Sequence, residues 1–559
     1  MKPFLGLFLV LPLHAAVPVG AKVPFTTMEA ELQKTTGTTV LLQGKPGTVV
    51  TPEMEASARG YVELTATNQS IAFPVSTAAN TLVIRHCIPD SPEGGGKEAS
   101  ISLFINGRFA ETITLSSRHN WLYGEPGQNG QSNTPGAAPH VFWEESRYFL
   151  KSNLKSGDVL ELRKQEKDTA VFYRVDLIEL EQAPPPLPAP AAGTFLSVTD
   201  FGANGTDMAD DSDAIIACIK AAGEQNKIVW IPAGTYHQSK RFELTDAITV
   251  RGAGMWHTNI LGTELTKDFA GRMGFSLRGD GPKVSDLYLE CVPQTSRGGL
   301  GGKGFTGSAS NWSVENVWIT HTQVGFWMSV ANKGVVRNCR VRFTYADAIN
   351  LNRGASDNLV ENSHVRGCGD DGLAILSETE RKDPPAKGNI LRNNTVNAIW
   401  WGHNCDLAGG SGHLVEGNLL ADNAMMGVFT INMTNAFPNH PLSDSIVRRN
   451  VLVRGGGNYV KQKRGAAWIL ADSTTVTDVV FEENVIESPM YSGIQITGKS
   501  AQKILFKNNR INNPGENGIV ITAKAQGSGE FTGNVIKGLP EGGKEINNAA
   551  GEAYQVILK

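Results

Sequence analysis

Eight short segments repeat one frame: an apolar residue, four residues that always include asparagine, and a second apolar residue. They are VENVWI from 314, VRNCRV from 336, VENSHV from 360, LRNNTV from 391, VEGNLL from 415, VRRNVL from 447, FEENVI from 481 and FKNNRI from 506. A second strand-like run follows each one: VGFWMS, DAINLN, DGLAIL, a less regular WWGHNCDL, MGVFTI, GAAWIL, SGIQIT and NGIVIT. The starts lie 22, 24, 31, 24, 32, 34 and 25 residues apart, which fits one solenoid coil each, with loop insertions in the longer ones. Short strands with Asn and Gly at the corners describe an all-β fold, a right-handed parallel β-helix. In it, stacked asparagines can hydrogen-bond along the axis and satisfy turn backbone that would otherwise be stranded. The LxxLxL signature of a leucine-rich horseshoe and the 3.6-residue period of helical repeats are both missing.

The coils occupy only the later part of the chain. Residues 181–194, EQAPPPLPAPAAGT, favour extended polyproline conformation and read as a linker. Before it, alternating runs such as GYVELTA, TLVIRHC and ISLFING, separated by turn residues, predict a β-sandwich of jelly-roll type over 22–180. Inside it the stretch from His119 to Phe149 is too long and polar for a turn, and is expected to reach across to the second part or to substrate. After the linker, over 195–559, Ser212 is placed to cap a helix to residue 222. Its Ile215, Cys218, Ile219 and Ala222 share one face, which would cover the open end of the coil stack.

The N-terminus carries Lys2, an apolar run from Phe4 to Leu13, and Val19 and Ala21 at the minus-three and minus-one spacing of a cleavage site. Residues 1–21 read as a secretory signal, because the apolar run is shorter than the ~20 residues needed to span a membrane. The expected location is extracellular or periplasmic, with no membrane attachment after cleavage. Lys+Arg 51 against Asp+Glu 55 gives a net charge of −4 with no basic stripe, so nothing points to nucleic acid or an anionic membrane surface. Six cysteines without a CxxC pair read as buried thiols rather than a zinc site.

The chemistry is carried by aspartates. Asp347 opens DAINLN and Asp371 opens DGLAIL, 24 residues and one coil apart, with Asp370 beside Asp371 in GCGDDGLAIL. Neighbouring coils stack about 4.8 Å apart, so Asp347 and Asp371 should be adjacent. Strict alternation would bury Asp347 with Ile349 and Leu351 at high cost. A bend before the strand, helped by Gly369 and Gly372, is therefore expected to turn all three outward. Three acids on one face suit glycoside hydrolysis, with Asp370 as general acid and a water gripped by Asp347 and Asp371. An inverting reaction of this kind places acid and base roughly 6.5 to 9.5 Å apart. Trp327, Trp400 and Trp401 flank these residues in sequence, and flat aromatic faces suit sugar rings. His403 is a further candidate for substrate binding.

The run VTDFGANGTDMADDSDAI, with VWIPAGTY after it, resembles the pectate-lyase-like β-helix superfamily. YADAINLN followed by GCGDDGLAIL, behind a β-sandwich, is most similar to glycoside hydrolase family 87, the α-1,3-glucanases and mycodextranases. The similarity extends over about the whole chain, and its specific motifs are the aspartates. It implies catalysis by Asp347, Asp370 and Asp371, without a catalytic cofactor, by a monomer acting on a neutral α-glucan. Polygalacturonases share the Asp and GDD geometry but add an RIK motif that is missing here, which argues against a uronic acid substrate. TMEAELQ, RGYVEL, INGRF and YRVDLIELE resemble carbohydrate-binding modules of families 6 and 35. That resemblance implies a structural calcium at Glu29, Glu31 and Asp176, whose oxygen ligands suit the ion. Two alternatives stand beside the hydrolase: a polysaccharide lyase or polygalacturonase-like enzyme on the same fold, and a non-catalytic glycan-binding protein.

Overall fold

The computed structural model describes residues 19–42, 51–124, 134–136, 139–141, 143–263, 273–292, 302–380, 382–423, 429–431, 438–459 and 462–559. The expected signal therefore lies outside the described residues up to position 18. The short piece that follows it is docked on the second half of the chain. The Gly20 amide donates to the Gly417 carbonyl at 2.8 Å and the Ala21 amide to Thr395 Oγ1 at 2.9 Å. Among the described residues no helix is long and apolar enough to cross a membrane. All six cysteines are buried.

Two large antiparallel sheets form the body of the N-terminal part, beside a two-stranded one of Trp121–Tyr123 and Pro139–Val141. One runs in the order Glu144–Leu154, Ala79–Cys87, Tyr173–Glu181, Gly60–Leu64 and Thr39–Leu42, with Phe25–Glu29 also paired to Tyr173–Glu181. The other runs Lys34–Thr36, Ser70–Pro74, Val159–Arg163, Glu98–Ile105 and Arg108–Ser116. Alternate residues of both, among them Val62, Ile71, Phe73, Leu82, Ile101 and Leu162, close the core between them, as aligned sandwich packing requires.

From Phe195 onward the strands are parallel and stack coil on coil. One wall is a sheet of 12 strands from Phe242–Thr245 to Ile546–Asn548. Its inward column reads Phe305, Phe326, Ile349, Leu373 and Cys405 in direct register, so the repeat seen in sequence is the repeat of the core. At the corners, Asn316, Asn338, Asn362, Asn393, Arg449, Glu483 and Asn508 take φ between 50° and 55°. That is the left-handed region where asparagine is favoured. The next position is a buried amide ladder. Asn418, Asn450, Asn484 and Asn509 each accept, at Oδ1, the backbone amide and the side-chain amide of the asparagine one coil before, at 2.9–3.1 Å. The expected asparagine stack is therefore present, and every member is saturated.

The helix spans Ser212–Gln225, with Ile215, Cys218, Ile219 and Ala222 buried as expected, against the first coil. Its start differs from the expectation. Asp211 occupies the cap position, and Ser212 is the first helical residue. The Ser212 hydroxyl donates to Asp210 Oδ1 at 2.6 Å and accepts the amides of Ser239 and Lys240. From residue 182 the proline-rich stretch lacks helix and strand, yet it is fastened to the coils. The Leu187 amide donates to the Ala253 carbonyl at 2.9 Å, and His257 Nε2 donates to the Pro184 carbonyl at 2.8 Å.

The two parts are joined by buried charge rather than by a tether. Arg342 and Arg366 are one coil apart in register and face two carboxylates of the sandwich. Arg342 lies 2.9 Å from Glu145 and 3.4 Å from Glu179, and Arg366 lies 2.6 Å from each. Beside them Arg340 meets Glu181 at 2.8 Å. Burial alone would raise the Glu179 carboxyl, but Arg342, Arg366 and Arg340 hold it below the ordinary value. Its contribution is thus present above the unfolded-state value and is lost as pH falls through the folded one. Glu179→Gln keeps the shape and removes the charge, leaving two buried guanidiniums undercompensated. It should cost about 3–5 kcal/mol, read by urea unfolding near neutral pH, and the gap from wild type should close on acidification.

Candidate active site

Asp347 and Asp371 each sit two residues before a strand, Ile349–Asn352 and Leu373–Leu376, and those strands pair Ile349 with Leu373. The chain bends at 345–346 and again at 369–370, just ahead of each aspartate. Neither residue belongs to the alternation of its strand, so the expected bend is there, but it does not turn all three acids outward: Asp347 and Asp371 are buried and only Asp370 is partly open. The Asp371 amide donates to Asp347 Oδ1 at 3.1 Å, and the Ala348 amide to the Asp371 carbonyl at 2.9 Å. Gly369 and Gly372 serve close approach rather than a positive φ. A Cβ on Gly369 would overlap the Trp400 ring and the Tyr345 carbonyl, and one on Gly372 would overlap Val396.

The three carboxylates converge. Oxygens of Asp347, Asp370 and Asp371 all lie within 4.8 Å of one another. That is closer than the 6.5 to 9.5 Å expected from sequence, because Asp370 shares its bend with Asp371 instead of standing across from it. Asp347 and Asp371 are 5 % and 4 % exposed while Asp370 is half-buried, so Asp370 is the most open of the three.

Several neighbours were not legible in advance. Asn350 Nδ2 donates to Asp347 Oδ2 at 3.1 Å. Gly402 leaves room for Asp370, whose carboxylate a Cβ there would overlap. Asp406 is fully buried and has an oxygen within 4.8 Å of Asp371 and His403 ligand atoms. Asn350, Ala374 and Asp406 form one register column, so aligning the second strands by position would have found Asp406.

The aromatic candidates separate. Trp327 is half-buried, one coil from Asn350, with Lys303 Nζ 4.4 Å from its ring centre. Trp401 is also half-buried. Trp400 is packed inside, with Leu122 and Tyr345, so its face is occupied by protein. His403 is fully buried behind Asp371. Leu122 comes from the sandwich, as does His119, whose Nδ1 lies 3.3 Å from the Tyr345 hydroxyl and whose ring stacks on His321. The long stretch of the sandwich thus reaches the catalytic coils at His119 and Leu122, while 125–133, 137–138 and 142 lie outside the described residues. Burial disfavours a charge on His321, yet Glu144 at 2.7 Å and Glu290 push it up to about 10.

The acids implied for calcium lie where the sandwich meets the coils. Burial and then the Asp176 charge push Glu29 up to about 8, while burial, Glu29 and Asp176 push Glu31 to about 9. Burial raises Asp176 to about 6 against the opposing Arg85. Glu29 Oε2, Glu31 Oε2 and Asp176 Oδ1 are buried without a hydrogen-bond donor. These orphaned hard oxygens suit a cation in chemistry and charge. They are not among the described groups whose ligand atoms gather within 4.8 Å, so an ion would have to draw them together.

A coil stack that presents an acid cluster on its flank is the arrangement of β-helical enzymes acting on polysaccharides. Residues 22–183 match the model described as α-1,3-glucanase catalytic domain D1, and residues 209–537, more than half of the chain, match catalytic domain D2. The chain belongs to the α-1,3-glucanase catalytic-domain family and is a glycoside hydrolase. Among solved structures it is similar to the Agl-KA catalytic domain, at 27 % identity and a TM-score of 0.85 over 98 % of this chain and 100 % of that one. It is also similar to the catalytic unit of a thermostable GH87 α-1,3-glucanase from Streptomyces thermodiastaticus strain HF3-3, at 25 % identity and 0.82 over 96 % of each. A GH87 α-1,3-glucanase catalytic domain in complex with nigerose shares the fold, at 24 % identity and 0.80 over 96 % of this chain and 98 % of that one. A search of curated proteins finds no match.

Glu29 and Glu31 have folded-state values raised above 4.5, so the stability they support is fully present below that value and is lost as pH rises toward 8 to 9. Melting in a chelator should therefore fall between pH 5 and pH 9. Glu31→Gln, which removes one of the repelling charges, should flatten that fall; an equally steep curve in the variant would count against the cluster as its source.

Proposed function

We propose that this chain is a secreted enzyme that hydrolyses α-1,3-glucosidic bonds of a neutral α-glucan with inversion, using Asp370 as general acid and a water held by Asp347 and Asp371. The observation that carries this reading is the Asp347–Asp371 stack with oxygens within 4.8 Å. One water making two hydrogen bonds of about 2.7 Å at a tetrahedral angle bridges oxygens roughly 4.4 Å apart. Asp371 is fixed by the His403 amide and ring and Asp347 by the Asp371 amide and Asn350, so both are oriented before substrate arrives. Asp370, the more open carboxyl, faces the leaving oxygen as the acid. Trp327 and Trp401, both half-buried, are the aromatic candidates for contact with sugar rings. The GH87 relative solved with nigerose supports an α-1,3-linked glucan as the substrate.

Calcium at Glu29, Glu31 and Asp176 has a structural part in this reading. It would replace the repulsion among them and brace the sandwich against the coils. Export through residues 1–21 accounts for an enzyme that meets a polymer too large to enter a cell. Cleavage after Ala21 would remove Gly20 and Ala21 from their sites on the coils, so a cut upstream of Gly20 fits the docking better.

The short carboxyl spacing favours a second reading, retention through a covalent intermediate, for which about 5 to 5.5 Å is typical. Proton NMR of a fresh digest separates the two: β-anomers first for inversion, α-anomers first for retention. A panel of α-1,3-, α-1,4-, α-1,6- and mixed-linkage glucans with reducing-end detection tests the linkage, and turnover confined to α-1,3 bonds is expected. Asp370→Asn should lower kcat by about 10²- to 10⁴-fold with glucan binding and melting temperature unchanged. A folded variant near wild-type rate would remove Asp370 from the acid role.

A further inference from the structure

We infer that His403 is a positioning residue that fixes which oxygen of Asp371 holds the nucleophilic water, an inference that rests on Asp371 as part of the water-holding pair. Cys405 pairs with Leu373 as Leu373 pairs with Ile349, so His403, two residues before its strand, is the third rung of the column Asp347, Asp371, His403. The Gly372 amide donates to the His403 carbonyl at 2.8 Å, repeating the Ala348-to-Asp371 bond one coil earlier. The rung above the two carboxylates is thus filled by a side chain that can donate to them.

Its contacts are specific. The backbone amide and ring Nδ1 of His403 both lie 2.8 Å from Asp371 Oδ1. A carboxylate oxygen accepts about two such bonds, so Oδ1 is saturated and Oδ2 is the oxygen left to face a water. Because an ionised carboxylate only accepts, Nδ1 must carry the proton. Nε2 is buried without a hydrogen-bond partner and the ring is tilted against Trp468 at 6.5 Å, and the other titratable group at the ring is the buried carboxylate of Asp406, within 4.8 Å of the His403 and Asp371 ligand atoms. With no exposed surface, His403 does not touch sugar; it acts through Asp371.

The test compares His403→Asn, His403→Gln and His403→Ala by kcat, KM and the pH profile of kcat/KM, with Asp371→Asn alongside. Asparagine can place an amide N–H near the Nδ1 position, whereas glutamine reaches toward Nε2. Alanine and glutamine should lower kcat by about 10- to 100-fold, the scale of a misplaced reacting group, with KM within about threefold. They should also move the acidic limb upward, because a carboxylate that loses a donor is easier to protonate. Asparagine should recover most of the rate and the wild-type limb. A raised KM with kcat intact, or asparagine as impaired as alanine with an unmoved limb, would overturn the inference. If the variants do not fold, nitrogen NMR of histidine-labelled wild-type enzyme decides: a proton on Nδ1 supports the inference and one on Nε2 alone overturns it. A fully active Asp371→Asn would instead overturn the role of Asp371, whatever the His403 variants do.

Discussion

Everything in this molecule depends on the hydrogen-bonded register between successive coils. A parallel ladder brings equal positions of neighbouring coils to about 4.8 Å, whatever the number of residues in the loops between them. It puts Phe326 on Ile349 on Leu373 in the core, Asn418 on Asn450 on Asn484 at the corner, and Asp347 on Asp371 on His403 at the acid cluster. Core, corner and chemistry are three columns of one lattice. The corner column secures the other two: each buried asparagine has its donors and acceptors satisfied by the coils on either side, so slipping one coil would strand polar groups on both neighbours.

The period was plain in the sequence because the apolar frame that makes the core also counts the coils. The pairing of Asp347 with Asp371 followed from the same count, 24 residues apart with no insertion between them. His403 escaped it, since its 32-residue separation from Asp371 includes extra loop and the irregular WWGHNCDL run hides where the strand begins. Trp400 and Trp401 are adjacent in that run and look alike in sequence, yet one is buried by a leucine of the sandwich. No local pattern announces a contact made from nearly three hundred residues away. The stacked arginines were hidden for the same reason. Arg342 and Arg366 sit on strands whose partners, Glu145 and Glu179, lie 163 to 221 residues upstream, and as isolated residues they read as ordinary surface charge.

That buried charge changes what the N-terminal sandwich is. A module that merely tethers substrate would contact its neighbour through a small, wet surface. Here Glu145, Glu179 and Glu181 pair with three buried arginines, and Leu122 and His119 complete the packing behind Tyr345, two residues from Asp347. The description of both matched regions as parts of a catalytic domain agrees with this dependence.

The unequal coil lengths carry a consequence for how such an enzyme can diversify. An insertion at a corner lengthens a loop without altering the vertical distance between rungs, so the surroundings of the acids can be rebuilt one storey at a time. A whole coil added or removed beyond them, past the strand Cys405–Ala408 for instance, changes the height of the tower and leaves the acids where they are. A coil inserted between Asp347 and Asp371 would double their separation and split the pair. The boundaries this architecture cannot renovate are the floors that join Asp347, Asp371 and His403.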